Sequence, residues 1–139
     1  MKISLLCVFA AVLGLSAVPA FAHHSFAAEY DNKKPVSLTG KVTKVEWMNP
    51  HARFYLDVKD DKTGAVTNWE FELGSPNGLM RQGWTRNSMK IGDEISVDGS
   101  LAKDGSNLAN ARTVKLTDGR RLFAGSASET GREGGPAEK

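Results

Sequence analysis

Residues 53–76 read RFYLDVKDDKTGAVTNWEFELGSP, and this stretch decides the fold. Apolar and polar side chains alternate twice along it, with apolar positions at Phe54, Leu56, Val58, Trp69, Phe71 and Leu73. Strict alternation is the pattern of a half-buried strand, and DDKTG at residues 60–64 has the composition of a turn. The stretch therefore predicts two antiparallel strands whose apolar side chains share one core face.

A short helix is predicted directly after this hairpin. Ser75 is a good N-cap, and Pro76 suits the first helical position. Gly83 can end the helix in the left-handed conformation. Alternation then predicts a fourth strand, with Ile95, Val97, Gly99 and Leu101 on a single face, and a fifth strand over 109–116. A short sixth strand is predicted at 122–123.

The first strand is predicted to begin at Leu38, after an extended lead-in over residues 23–36. Val42 lies on one parity of the strand, whereas Val45 and Trp47 lie on the other. One face of the strand can therefore stay buried only if a β-bulge falls near Thr43 and Lys44. The order β-β-β-α-β-β predicts an all-β fold with one short helix, an OB-fold-like five-stranded Greek-key barrel. Another small barrel or a sandwich is the alternative.

The two ends of the chain differ in character from this domain, which we place at residues 37–124. Ile3 to Val18 is almost entirely apolar, and Ala20-Phe21-Ala22 has the small-x-small form of a signal-peptidase site. We therefore predict a signal peptide over 1–22 and a periplasmic or secreted protein, with a retained N-terminal anchor as the alternative. Residues 125–139 lack large apolar side chains, which predicts a disordered tail.

Composition limits the function. The 139 residues carry a net charge of +2 and one cysteine, so one domain is expected, without a disulfide framework or a nucleic-acid partner. No stable membrane insertion is expected once the signal is removed. The sequence has no Ser-His-Asp order, phosphate loop or HExxH motif, which favours binding over catalysis. Glu70, Glu72 and Asp57 share an outward face, where a carboxylate pair for a hydrolase competes with an ordinary solvated surface.

All three histidines follow the predicted cleavage site, at His23, His24 and His51. Cleavage after Ala22 gives His23 a free α-amine, which can chelate a metal together with the imidazole Nδ1. Nitrogen ligands of this kind suit Cu(II) best among the divalent ions. His51 lies in the loop between the first two strands, where it could complete a three-nitrogen site. The alternative is a polar terminus and a histidine that caps a turn.

Further candidate ligand contacts are Asn49, Tyr55 and Trp84. Tyr55 is the aromatic residue that clearly points outward by parity, and Asn49 lies in the loop before His51. An outward aromatic face on an OB-like barrel can stack on a sugar or base, although one ring makes a small platform.

Several motifs resemble an uncharacterised domain-of-unknown-function family of small secreted proteobacterial proteins. They are HHSF at 23–26, WMNPH at 47–51, FELGSPN at 71–77, GWTR at 83–86 and KDGSN at 103–107. The resemblance implies secretion and brings no activity. We therefore expect a periplasmic binding protein, either for copper or, without metal, as an adaptor or ligand-binding module for a peptide, glycan or partner protein.

Overall fold

The computed structural model describes residues 26–125, which form a mostly β fold with six strands and two short helices. The predictions for the signal peptide, for His23 and His24, and for the tail over 126–139 lie outside the described residues. The elements are α1 (Phe26–Glu29), β1 (Tyr30–Glu46), β2 (Arg53–Lys59), β3 (Val66–Glu72), α2 (Pro76–Arg81), β4 (Glu94–Ala102), β5 (Leu108–Lys115) and β6 (Arg121–Phe123).

The strands form one sheet in the order β3-β2-β1-β4-β5-β6. All neighbours in this order pair antiparallel, and β3 also pairs with β5 in parallel. The pairings β1–β2, β2–β3, β3–β5, β5–β4 and β4–β1 therefore run in a cycle. This cycle brings the end of β3 next to the start of β5.

Strand β1 confirms the predicted bulge. Its register with β2 shifts between Val42 and Lys44, so Thr43 is the extra residue that restores the buried face. The strand also begins at Tyr30, well before the Leu38 that the alternation indicates. Its first part pairs with β4 and stays largely exposed, which explains why no burial pattern marks it in the sequence.

Helix α2 has both predicted ends. The Ser75 hydroxyl accepts a hydrogen bond from the Gly78 amide, and Pro76 is the first helical residue. At the other end Gly83 has φ +93°. The Gly83 amide bonds to the carbonyl of Met80, and the Trp84 amide bonds to the carbonyl of Leu79. This is the Schellman pattern, which satisfies the last helical carbonyls.

The face predicted for β4 agrees with its register against β5 but is less buried in its second half. Ile95 and Val97 are buried, but Leu101 is half-buried and Ala102 is buried instead. The register with β5 shifts between Asp98 and Gly99. Gly99 and Leu101 pair with the buried Ala111 and Ala109, so they stay on the predicted face. The extra residue of this second bulge is Arg112 on β5, and the parity therefore changes along β5 and not along β4.

The core lies inside the cycle of strands and is closed at one end by α2. The rings of Phe54 and Phe71 stack with centroids 5.1 Å apart. Trp69 is half-buried and packs against this core at its edge. In the part of the chain described, no helix is long and apolar enough to cross a membrane.

Candidate functional site

His51 pairs with Glu72 at the end of the β1–β2 connection. Its Nδ1 lies 2.7 Å from Glu72 Oε1. The next residue, Ala52, is fixed to the end of β3 by two backbone hydrogen bonds, one to the Gly74 carbonyl and one from the Leu73 amide. A carboxylate only accepts hydrogen bonds, so Nδ1 is the donor and carries the proton. Nε2 of His51 has no hydrogen bond within residues 26–125, and in the neutral imidazole this atom carries the lone pair.

Glu72 is the buried centre of a polar cluster. It is 7% exposed, which contradicts the expectation of a solvated carboxylate face at this position. Its Oε2 accepts from Arg53 Nη2 at 3.3 Å, and Arg53 Nη1 bonds to Glu70 Oε1 at 3.0 Å. Asp57 belongs to a separate pair, since its carboxylate accepts from Asn68 at 2.8 Å. A buried carboxylate with two fixed partners is a positioning group for His51.

Tyr30, at the start of β1, covers this cluster. It is 3% exposed, and its hydroxyl has no hydrogen-bond partner within the described chain. Burial raises the pKa of Tyr30, and the charge of nearby Glu72 raises it further. The Phe26 ring packs on Tyr30 with centroids 5.5 Å apart. Helix α1 therefore lies close to the His51–Glu72 pair.

The β4–β5 turn holds this N-terminal segment in place. The Lys103 amide bonds to the Glu29 carbonyl at 2.9 Å, and the Lys103 ammonium bonds to the Ala27 carbonyl. Tyr30 itself pairs with Ala102. Sequence reasoning missed Tyr30 and Lys103, because no local pattern links a tyrosine in an irregular stretch to a distant turn.

Tyr55 lies on the same outward sheet face but does not stand free. Its hydroxyl donates to Glu46 Oε2 at 3.2 Å, and the Lys44 ammonium lies 5.0 Å from its ring centroid. Partial burial raises the pKa of Tyr55, as do the charges of Glu70 and Glu46. The hydrogen bond from Lys44 in turn lowers the pKa of Glu46. The ring is thus one member of a polar network across three strands.

The other two predicted ligand contacts are separated. Asn49 is exposed in the β1–β2 connection, where the Asn49–Pro50 peptide is cis. Trp84 is 3% exposed and belongs to the core, and its indole N–H donates to the Phe123 carbonyl at 2.7 Å. The ring follows the Schellman turn into the interior, so a surface ligand does not reach it.

A cleft of about 420 Å³ lies beside β1, and neither His51 nor Glu72 lines it. Its lining residues come from β1, the segment after it and the long α2–β4 connection: Val45, Trp47, Arg86, Met89, Lys90 and Ile91. Sequence reasoning missed this site. The exposed Ile91 between polar residues was the available signal, but a single surface isoleucine is common.

Within residues 26–125, no three His, Cys, Asp or Glu side chains are grouped so that they could hold a metal ion. His23 and His24 are the remaining histidines of the chain.

Comparison with known proteins identifies the family of the chain but assigns no activity to it. No curated protein matches it. A family described as "Family of unknown function (DUF6152)" matches residues 11–111, which is most of the chain. The match includes β1 to β4, the His51–Glu72 pair and all the residues that line the cleft. The chain therefore belongs to this family.

Proposed function

We propose that the protein is a small periplasmic or secreted binding protein that holds one Cu(II) ion through His23, His24 and His51. The cyclic strand pairing, with a helix between β3 and β4, supports an OB-like barrel as its scaffold. The cleaved N-terminus supplies the metal's first ligands, and the β1–β2 connection supplies the last. Such a site serves metal binding or handling without catalysis.

The observation that carries the proposal is the hydrogen bond of 2.7 Å between His51 Nδ1 and Glu72. Metal-binding histidines commonly donate their second ring N–H to a carboxylate, which fixes the ring and increases its basicity. Glu72 is itself held by Arg53, so the imidazole is oriented before any metal arrives. The unprotonated Nε2 is the atom that would bind the metal.

The position of α1 supports the participation of the N-terminus. Phe26 packs on Tyr30, and Tyr30 lies close enough to Glu72 for the two groups to interact electrostatically. His24 precedes Phe26 by two residues, so chain connectivity keeps their Cα atoms within about 7 Å. The nearness of α1 to Glu72 therefore supports a metal site that combines His51 with His23 and His24.

The donor set favours copper. The α-amine of a cleaved His23 has a pKa near about 8, so the amine loses its proton at small cost near neutral pH. Amine and imidazole nitrogens rank Cu(II) above the other divalent ions of the first row. A structural zinc site usually has four protein ligands, and this chain offers three histidines.

The test compares the processed protein, which begins at His23, with a form that has one alanine before His23. Cu(II) affinity is measured by calorimetry against a competing chelator, and the ligand nitrogens are counted by electron paramagnetic resonance. We expect the extension to weaken binding at least about tenfold, or about 1.4 kcal/mol, because it removes the amine from the chelate. An ordinary surface histidine would not respond to the extension.

Two variants then test the loop. His51→Ala should weaken Cu(II) binding and remove one nitrogen from the spectrum. Glu72→Gln, which keeps the shape of the side chain, should weaken binding about tenfold or more with the same nitrogen count. Thermal melts without metal report any loss of folding. If native and extended proteins bind alike, the copper site is wrong, and a metal-free adaptor or ligand-binding module is the better interpretation.

A further inference from the structure

We infer that the cleft between β1 and the α2–β4 connection binds a small amphipathic carboxylate, meaning a molecule with an apolar, ring-sized body and one anionic group. This site is independent of the proposed copper site. Its volume of about 420 Å³ lies within the range of small-molecule sites. The chemistry of the ligand follows from the two kinds of side chain that line the cleft.

The first kind is apolar. Val45 and Trp47 are half-buried, whereas Met89 is 5% exposed and closes the cleft towards the core. Ile91 is 72% exposed on the opposite side. Removing this apolar surface from water is favourable. An apolar body seated between Trp47 and Ile91 would cover both side chains.

The second kind is cationic. Arg86 and Lys90 line the cleft, and no acidic side chain lines it with them. Neither the guanidinium of Arg86 nor the ammonium of Lys90 has an ion pair in the described chain. Many other charged groups are paired, among them Lys44 with Glu46 and Arg53 with Glu70. The cleft therefore complements an anion, and the planar guanidinium suits a carboxylate in particular.

The backbone that presents these cations is fixed. The turn at 90–93 is tied to β1 by two hydrogen bonds of 2.8 Å between Val42 and the residues Gly92 and Asp93. Its Lys90 amide bonds to the Asp93 carboxylate at 2.8 Å. The Thr85 amide, one residue before Arg86, bonds to the Ser88 hydroxyl at 2.8 Å. A preformed cleft reduces the ordering that a ligand would otherwise have to impose.

The experiment titrates the mature protein with 2-naphthoate and with neutral 2-naphthylmethanol, and follows the indole resonances by nuclear magnetic resonance. We expect saturable shifts of Trp47, with 2-naphthoate binding at least about fivefold more tightly than the alcohol. In the double variant Arg86→Gln, Lys90→Gln this preference should disappear. The matched control Lys59→Gln, Lys62→Gln changes two exposed lysines at the β2–β3 turn and should keep it.

The apolar half of the site has its own variant. Ile91→Ser should weaken the acid and the alcohol by the same factor, about threefold or more, because it removes apolar contact and leaves the cations in place. The site is refuted if 2-naphthoate gives no saturable shift at Trp47, or if the neutralised double variant still prefers the acid. It is equally refuted if the protein binds anionic lipid vesicles but not the free carboxylate. None of these outcomes depends on copper.

Discussion

Trp84→Phe should destabilise the protein far more than Trp69→Phe. The two substitutions make the same chemical change in different surroundings. Trp84 is 3% exposed and donates an indole hydrogen bond of 2.7 Å to the Phe123 carbonyl. Trp69 is half-buried at the edge of the core, and its indole nitrogen makes no hydrogen bond within residues 26–125.

The magnitude follows from these contacts. Phenylalanine at position 84 leaves the Phe123 carbonyl without its donor, and a buried polar group that loses its partner costs about 1–3 kcal/mol. The smaller ring adds a packing loss of roughly 1 kcal/mol. We therefore expect Trp84→Phe to lower the free energy of unfolding by about 2–4 kcal/mol. Trp69→Phe should lower it by less than about 1 kcal/mol, since it removes partly exposed surface only.

Urea denaturation followed by far-ultraviolet circular dichroism measures both values without relying on tryptophan fluorescence. A loss of 2 kcal/mol in a domain of this size should also lower Tm by at least about 8 °C. The slope of the transition should stay unchanged, because the variants fold to the same structure. Equal effects of the two substitutions, or a neutral Trp84→Phe, would refute the placement of Trp84 in the core and return its ring to the ligand-face prediction.

Two further predictions concern the backbone and the turns. Gly99→Ala should cost about 2 kcal/mol or more in urea denaturation, because a Cβ there would lie 2.1 Å from the Asn110 carbonyl oxygen. Gly92→Ala meets no atom within 4 Å and carries only the backbone strain of its φ of +94°, so it should cost less, about 1 kcal/mol. The pKa of Asp60 is lowered from 3.8 by hydrogen bonds from Thr63. A carboxyl with a lowered folded-state pKa stabilises the fold above its unfolded pKa, and this contribution disappears as the pH falls through the folded value. The stability difference between wild type and Asp60→Ala should therefore shrink between about pH 5 and pH 2 in acid melts, and a constant difference would contradict the assignment.

The sequence correctly predicted those strands and helix ends whose sequence signals lie within a few neighbouring residues. The β2–β3 hairpin follows from two runs of alternation, and both ends of α2 follow from Ser75, Pro76 and Gly83. The bulge near Thr43 could also be inferred, because Val42 and Val45 both had to face the core. Each of these inferences uses only the residues of one strand or one helix end, because the apolar positions of that element alone show which side faces the core.

The predictions failed where the structure of a segment depends on its pairing with a strand that is distant in the sequence. The first part of β1 pairs with β4 without burying a face, so no periodicity marks it. The second bulge has its extra residue at Arg112 of β5, next to the point where the β4 backbone at Gly99 closely approaches Asn110. A glycine that allows this close approach looks in the sequence like any other glycine in a strand. The change of parity along β5 at Arg112 could not be predicted without the register against β4.

The same limit explains why Glu72 was predicted to be solvated. Alternation shows correctly that Glu72 points away from the core of its own hairpin, but outward means exposed only where nothing covers the strand. Tyr30 covers it, about forty residues earlier in the chain, because β1 extends back to pair with Ala102. The burial of Glu72 and the position of α1 beside the His51–Glu72 pair are therefore consequences of one long-range pairing. A substitution that separates Tyr30 from Ala102 should expose Glu72 and release His51 together, which makes the N-terminal part of β1 a structural element of the proposed copper site.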